Sequence, residues 1–260
     1  MLAVQRQAAI LETVRAGGGV RVADLVDRFG VSDMTIRRDL EILADRGLLL
    51  KVHGGATALR PGATEEPGFA AKIELRTAEK DAIADRAAQL VQPGTAIALS
   101  AGTTTARLAH RLVGVAGLTV VTNSIPVADL FHRAGRTDQT VILTGGVRTP
   151  SDALVGPIAS TAIRSLHVDL VFLGVHGMSE RAGFTTPNLM EADTDRALVA
   201  AGGRLVVAAD SAKWGVVGIA AIAGLSEAHI LITDDGLDAE AREVLGAAVG
   251  ELLIANNTPQ

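Results

Sequence analysis

Residues 32–40 read Ser-Asp-Met-Thr-Ile-Arg-Arg-Asp-Leu, and eleven residues beyond Leu40 begins Lys51-Val-His-Gly-Gly-Ala. Ile36, Leu40 and Leu43 fall at i, i+4 and i+7, so a helix here buries them on one face. That leaves Met34, Arg37, Arg38 and Glu41 outward and Thr35 at the boundary. Two outward arginines suit a major groove, where a guanidinium bonds bidentately to guanine and a threonine methyl meets a thymine methyl. Ser32 is placed to cap the helix through its hydroxyl. Lys51 and His53 fall where a hairpin would set cations beside a sugar-phosphate backbone. The same spacing also fits a small three-helix bundle with a solvated Arg-Arg pair, so spacing alone leaves both readings open.

A second set of residues follows apolar runs further along. Ser100, Gly102, Thr103, Thr104 and Thr105 lead into a helical pattern, offering hydroxyls and a closely approachable backbone where a helix N-terminus favours an anion. Asn123 and Gly146 come just after the next two runs, and Glu191, Asp210 and Lys213 after later ones. Lysine is a compact phosphate-binding charge, and carboxylates accept bonds from sugar hydroxyls. Glu191 or Asp210 beside Lys213 could instead serve as a base next to a polarised carbonyl, which would make the site an isomerase-like enzyme.

The elements that must position the first set are short. Leu2, Ile10, Leu11 and Val14 predict a helix ended by the glycines at 17–19. Val22, Leu25, Val26 and Phe29 predict a second, closed by Gly30, and Gly47 is expected to end the third. Helix, glycine turn, helix is the helix-turn-helix pattern, and residues 48–52 with Gly54 and Gly55 predict two short strands around a turn, the wing. Residues 59–68 carry two Pro-Gly pairs and no periodicity, which reads as a linker.

Beyond it a helix over 80–91 is expected. Strands are predicted at 95–99, 118–121, 141–143, 168–173, 205–208, 229–232 and 252–254, each with a helical pattern behind it. Alternation of this kind implies right-handed βαβ units and a mainly parallel sheet, with ligands at the carboxyl ends of its strands. The expected organisation is a winged helix-turn-helix at 1–57, a linker at 58–76 and a larger α/β domain at 77–260.

Composition bounds the rest. The net charge is −5, but residues 1–60 hold nine Lys/Arg against seven Asp/Glu, and the remainder fifteen against twenty-two. Phosphate neutralisation by Lys and Arg carries most affinity for nucleic acid, so any such contact belongs to the first sixty residues. The longest apolar stretches, such as residues 216–225, fall short of the roughly 20 residues a membrane span needs. There is no cysteine to build a disulfide framework, and a cytoplasmic location is expected. No metal and no cofactor is expected.

The words themselves narrow the choice. Val31-Ser-Asp-Met-Thr-Ile-Arg-Arg-Asp-Leu40, followed by His53-Gly-Gly-Ala56, resembles the signature of DeoR-type bacterial transcriptional regulators, and the likeness continues more loosely through nearly the whole chain. The resemblance implies a winged helix-turn-helix joined to a sugar-phosphate-sensing domain whose fold is shared with sugar-phosphate isomerases. It implies a repressor of carbohydrate-metabolism genes, a homo-oligomer on operator DNA, released by a phosphorylated sugar. By the same resemblance Gly102 to Thr105 hold the phosphate with Lys213, while Asn123, Gly146, Glu191 and Asp210 border the sugar. Two positions depart from it. Many members carry aspartate where this chain has Ser100, and lysine where it has Asp195, beside Arg196.

Overall fold

The computed structural model describes residues 3–17, 19–45, 48–52, 54–57 and 68–256. Leu2, Gly47 and His53 lie outside them, as does most of the stretch read as a linker. The chain divides into two compact units, Met1–Pro61 and Gly62–Gln260.

In the first unit α1 (Ala3–Gly17), β1 (Gly19–Arg21), α2 (Val22–Phe29) and α3 (Asp33–Asp45) precede β2 (Leu50–Val52) and β3 (Gly55–Thr57). Ile10, Val14, Val22, Leu25, Ile36, Leu40 and Leu43 form the core with Leu49 and Ala56, as their helical spacing requires. The three strands make an antiparallel sheet in the order β1-β3-β2. Its first strand was not expected, because Gly19 read only as the end of a helix. Gly55 is needed here: a Cβ on it would stand 2.0 Å from the Val20 carbonyl oxygen.

The second unit opens with α4 (Phe69–Ile73), α5 (Thr77–Ala88), β4 (Ala96–Leu99), α6 (Thr103–Leu112), β5 (Thr119–Thr122), α7 (Ile125–Ala134) and β6 (Thr140–Leu143). It continues with β7 (Val147–Arg148), β8 (Leu154–Val155), α8 (Pro157–Arg164), β9 (Val168–Leu173), β10 (Gly177–Ser179) and β11 (Gly183–Thr186). The remainder is α9 (Leu189–Ala201), β12 (Gly202–Ala208), β13 (Ala220–Ala223), β14 (Ile230–Asp234), α10 (Ala239–Ala248) and β15 (Leu252–Ala255).

Seven strands form one sheet in the order β15-β14-β12-β9-β4-β5-β6, and every pairing in it is parallel. These are the seven expected strands. Along β9, Leu170 and Phe172 join the core under α5, α6 and α7, while Val171 and Leu173 join the one under α9 and α10. Burial on both faces explains why these strands read as continuous apolar runs.

The chain runs outward from β4 through β5 to β6, then returns to place β9 on the other side of β4. Strand order therefore reverses between β4 and β9, which is where an open α/β sheet forms its crevice. Two smaller features were not expected: an antiparallel sheet in the order β10-β11-β13, and the β7–β8 hairpin. Within the stretch read as linker, residues 69–73 form a helix.

Candidate functional site

The nucleic-acid candidates gather on α3 and β2. Ser32 caps α3: its Oγ accepts the Thr35 amide at 3.3 Å and lies 2.9 Å from Thr35 Oγ1. Thr35 is half-buried, while Met34, Arg37 and Arg38 are exposed, Met34 to 79%. Arg37 is ion-paired with Asp33 one turn back. Lys51 on β2 reaches Glu41 of α3 at 3.3 Å, which sets the wing cation beside the exposed helix face.

Behind this face lies an arrangement the spacing did not reveal. Asp39 is buried, accepting from Arg6 Nε at 2.6 Å and from Gln7 Nε2 at 2.8 Å. The pair fixes α3 to α1. Asp39 was not singled out from the sequence; only its place beside Leu40 and Leu43 could have signalled burial.

At the strand ends of the second unit the expected residues separate by role. Ser100 is fully buried and its Oγ accepts the Gly174 amide at 2.9 Å, tying the β4 and β9 ends together across the reversal. Thr105 is also fully buried, donating to the Ser100 carbonyl at 2.7 Å. Asn123 accepts from the Ala101 amide at 2.9 Å and donates to the Leu154 carbonyl at 3.3 Å, so it joins the β4 loop to the hairpin. Gly146, at φ +121, admits β8 so closely that a Cβ would stand 2.5 Å from the Val155 oxygen. Gly102 is the N-cap of α6, and Thr103 and Thr104 in its first turn are buried.

The charged residues form a connected group. Asp210 is buried after β12, with Oδ1 3.3 Å from Arg76 Nε. Arg76 Nη2 also donates to Ser211 Oγ at 3.0 Å and approaches Asp234 Oδ2 at 3.5 Å. Lys80, on the buried side of α5, donates to the Lys72 carbonyl at 2.6 Å. Burial pushes its ammonium down to about 8. Asp210 pulls the other way, and Lys213, Arg107 and Lys72 add to the fall. Lys72 Nζ donates to Ser151 Oγ at 3.1 Å. In the same turn Thr149 donates to Glu191 Oε1 at 2.7 Å, while Thr186 reaches Oε2 at 3.4 Å.

The strand ends thus bring Asp210 and Lys213 together with Arg76, Lys72, Lys80 and Asp234, with Glu191 linked through the hairpin turn. Lys72, Arg76, Lys80 and Thr149 were not singled out from the sequence. Lys80 left a signal, because it stands at i of a stripe continued by Ile83, Ala84 and Ala87. A lysine on an apolar face needs a reason. Of the two departures, Ser100 serves as the acceptor described, and Asp195 is buried in α9. Arg196 Nη1 donates to the Ala221 carbonyl at 2.6 Å.

Residues 6–61 match the family described as "DeoR-like helix-turn-helix domain", and residues 75–235 the one described as "DeoR C terminal sensor domain". The Escherichia coli K12 protein named "Uncharacterized HTH-type transcriptional regulator YgbI" is 40% identical over 259 residues, which cover 99% of this chain and 100% of that one. The "HTH-type transcriptional regulator GlpR" of Haloferax volcanii is 36% identical over 95% of this chain and 96% of its own. The "Glycerol-3-phosphate regulon repressor" of Escherichia coli K12 is 31% identical, with 90% and 92% covered. Among solved structures, ribose 5-phosphate isomerase A from Neisseria gonorrhoeae aligns over 52% of each chain at 15% identity with a TM-score of 0.38, too loose a likeness to bear on activity. With both of its units matched and relatives alike along almost their whole length, the chain belongs to the DeoR family of DNA-binding transcriptional regulators.

Proposed function

We propose that this regulator represses carbohydrate-metabolism genes and leaves its operator when a phosphorylated sugar binds at the strand ends of the larger unit. The observation that carries the reading is the buried Lys80, set among Lys72, Arg107 and Lys213 and beside Asp210. Cations suited to a phosphate and carboxylates suited to hydroxyls then occupy one crevice. Lys213, Asp210 and Glu191 are read as direct contacts, with Gly102, Thr103 and Thr104 offering the start of α6. Ser100, Thr105, Asn123 and Gly146 are read as the frame that shapes the crevice, since their side chains or close approaches are already committed within the protein. The relative named as a glycerol-3-phosphate regulon repressor supports a phosphorylated ligand.

Binding rather than catalysis is the better reading. Both oxygens of Glu191 already accept threonine hydroxyls, and Asp210 faces a guanidinium, so neither carboxylate is presented as a base. On the operator, Met34, Thr35 and Arg38 would meet base edges, while Ser32, Arg37, Lys51 and His53 would fix register. Two copies of the chain would place two such helices on repeated half-sites. A ligand favouring the released state by about 1–3 kcal/mol lowers operator affinity roughly 5- to 150-fold.

Trp214 is the sole tryptophan, part-buried and adjacent to Lys213, so its fluorescence reports on the crevice. Titration with pentose, hexose and triol phosphates should give a saturable change for one of them, and the same compound should loosen the protein from DNA upstream of its own gene. Silence of Trp214 across the panel, with DNA affinity unmoved, overturns the proposal.

A further inference from the structure

Residues 68–76 open the second unit and are tied to the rest of it by polar contacts. The Phe69 amide donates to the Pro150 carbonyl at 3.0 Å, and Lys72 Nζ to Ser151 Oγ at 3.1 Å. The last carbonyls of a helix lack partners within it. In α4 two cations from the body of the domain take them: Lys80 Nζ bonds Lys72 O at 2.6 Å, and Arg107 Nη2 bonds Ile73 O at 3.2 Å. Of its apolar side chains, Phe69 and Ile73 are partly buried and Leu75 is 44% exposed.

Arg76 ends the stretch. Its backbone sits at φ 52 and ψ 48, a left-handed conformation that side-chain-bearing residues avoid, so something must hold it there. The holders are Ser211 Oγ, Asp210, Asp234 and Glu79, the last at 3.2 Å. The fit is incomplete. Arg76 Nε and Asp210 Oδ1 are both buried and 3.3 Å apart, yet neither makes a hydrogen bond. Lys72, Arg107 and Lys213 lie close enough to Lys80 to help lower its ammonium, and Asp210 opposes them. The segment is closed over the crevice but not locked.

We propose that residues 68–76 form an effector-gated strap: a phosphorylated sugar whose anion is shared by Lys72 on the strap and Lys80 and Lys213 on the body draws the strap shut. The inference rests on the reading that the crevice takes such an anion. An anion among the lysines offsets the effect of Lys72, Arg107 and Lys213 on Lys80, and because Lys72 belongs to α4 its bond to that anion draws the strap inward. Hydroxyls that engage Asp210 leave Arg76 to align on Asp234 and Ser211. The strap is the first described stretch after residues 58–67.

Hydrogen exchange read by mass spectrometry on the full-length protein tests this, with glucose 6-phosphate, glycerol 3-phosphate and inorganic phosphate as probes at matched ionic strength. Trp214 fluorescence is followed in parallel. A probe that shifts Trp214 saturably should slow exchange at amides 69–76 about tenfold, while the last turn of α10, at the opposite edge of the sheet, stays unchanged. Arg76→Ala should exchange faster than the native protein over 69–76 without ligand, and the probe should fail to restore full protection. A saturable Trp214 response with unchanged exchange at 69–76 overturns the strap and leaves the sensor reading standing, as does native-like exchange in Arg76→Ala. No Trp214 response to any probe overturns both.

Discussion

Asp39 offers the sharpest test of how α3 is held. Its carboxylate is 3% exposed, accepts from Arg6 Nε at 2.6 Å and from Gln7 Nε2 at 2.8 Å, and both donors are themselves 8% exposed. Asp39→Ala removes the carboxylate but leaves a guanidinium and an amide buried. Breaking a buried pair from one side costs about 3–5 kcal/mol, because the surviving charge keeps its desolvation penalty without compensation. A unit of some sixty residues is stable by only about 3–9 kcal/mol at the usual 0.05–0.15 kcal/mol per residue. The variant should therefore lose most or all of the fold of residues 3–57, and operator binding with it, although Asp39 is itself buried. Trp214 lies in the other unit, so urea unfolding followed by tryptophan fluorescence reports that unit alone, whereas far-ultraviolet circular dichroism reports both. The expected result is an early circular-dichroism phase in the variant and an unmoved fluorescence transition. Replacing all three residues together, Arg6→Met, Gln7→Leu and Asp39→Leu, should recover most of the stability, since no uncompensated charge remains. A loss below about 1 kcal/mol in Asp39→Ala, within the range of an ordinary surface change, refutes the argument.

Three further outcomes follow from the geometry. Arg38→Ala should weaken operator binding by about 1–3 kcal/mol and relax specificity at one base pair, measured by competition among single-position operator variants; uniform weakening would make it a phosphate contact instead. With Lys80 lowered to about 8 from 10.5, affinity for a sugar phosphate should fall as pH rises through 8, and Lys80→Met should bind weakly with a flat profile; a native profile that stays flat from pH 7 to 9 refutes the assignment. The sign for folding is opposite: between 8 and 10.5 the unfolded chain holds the proton and the folded one does not, so this residue's contribution makes unfolding free energy rise with pH there. Gly146→Ala should destabilise the second unit well beyond Gly94→Ala in thermal melts, because both sit at positive φ but only at Gly146 does a new Cβ strike backbone, 2.5 Å from the Val155 oxygen.

The first unit shows where local rules suffice and where they stop. Helices α2 and α3 were legible because their stripes, the Gly30 turn and the Ser32 cap are decided within a few residues of one another. The strand β1 was not, because nothing local makes Gly19–Arg21 extended: it exists through its pairing with Gly55–Thr57, at the other end of the unit. The burial of Asp39 has the same origin, its partners lying 33 and 32 residues away. A charge in an otherwise solvated pattern is assigned to solvent unless its distant partner is known.

The second unit adds a geometric reason. In a parallel sheet every strand ends at the same edge, so residues that follow a strand are automatically site candidates, and Ser100, Asn123, Asp210 and Lys213 were found that way. A helix that runs back beside the strands must start at that edge too. The helices after strands inherit their position from the preceding turn and were covered by the same search; α5 has no strand before it and was not. Yet α5 leads into β4, so its N-terminus lies at the edge where the strands end, and there stand Arg76 as its N-cap and Lys80 in its first turn. The segment before it, dismissed on composition as a linker, is carried to the same edge and supplies Lys72. Strand ends therefore predict the carboxylates and the loops that shape such a crevice, while several of its cations arrive from the helix and strap that precede the first strand.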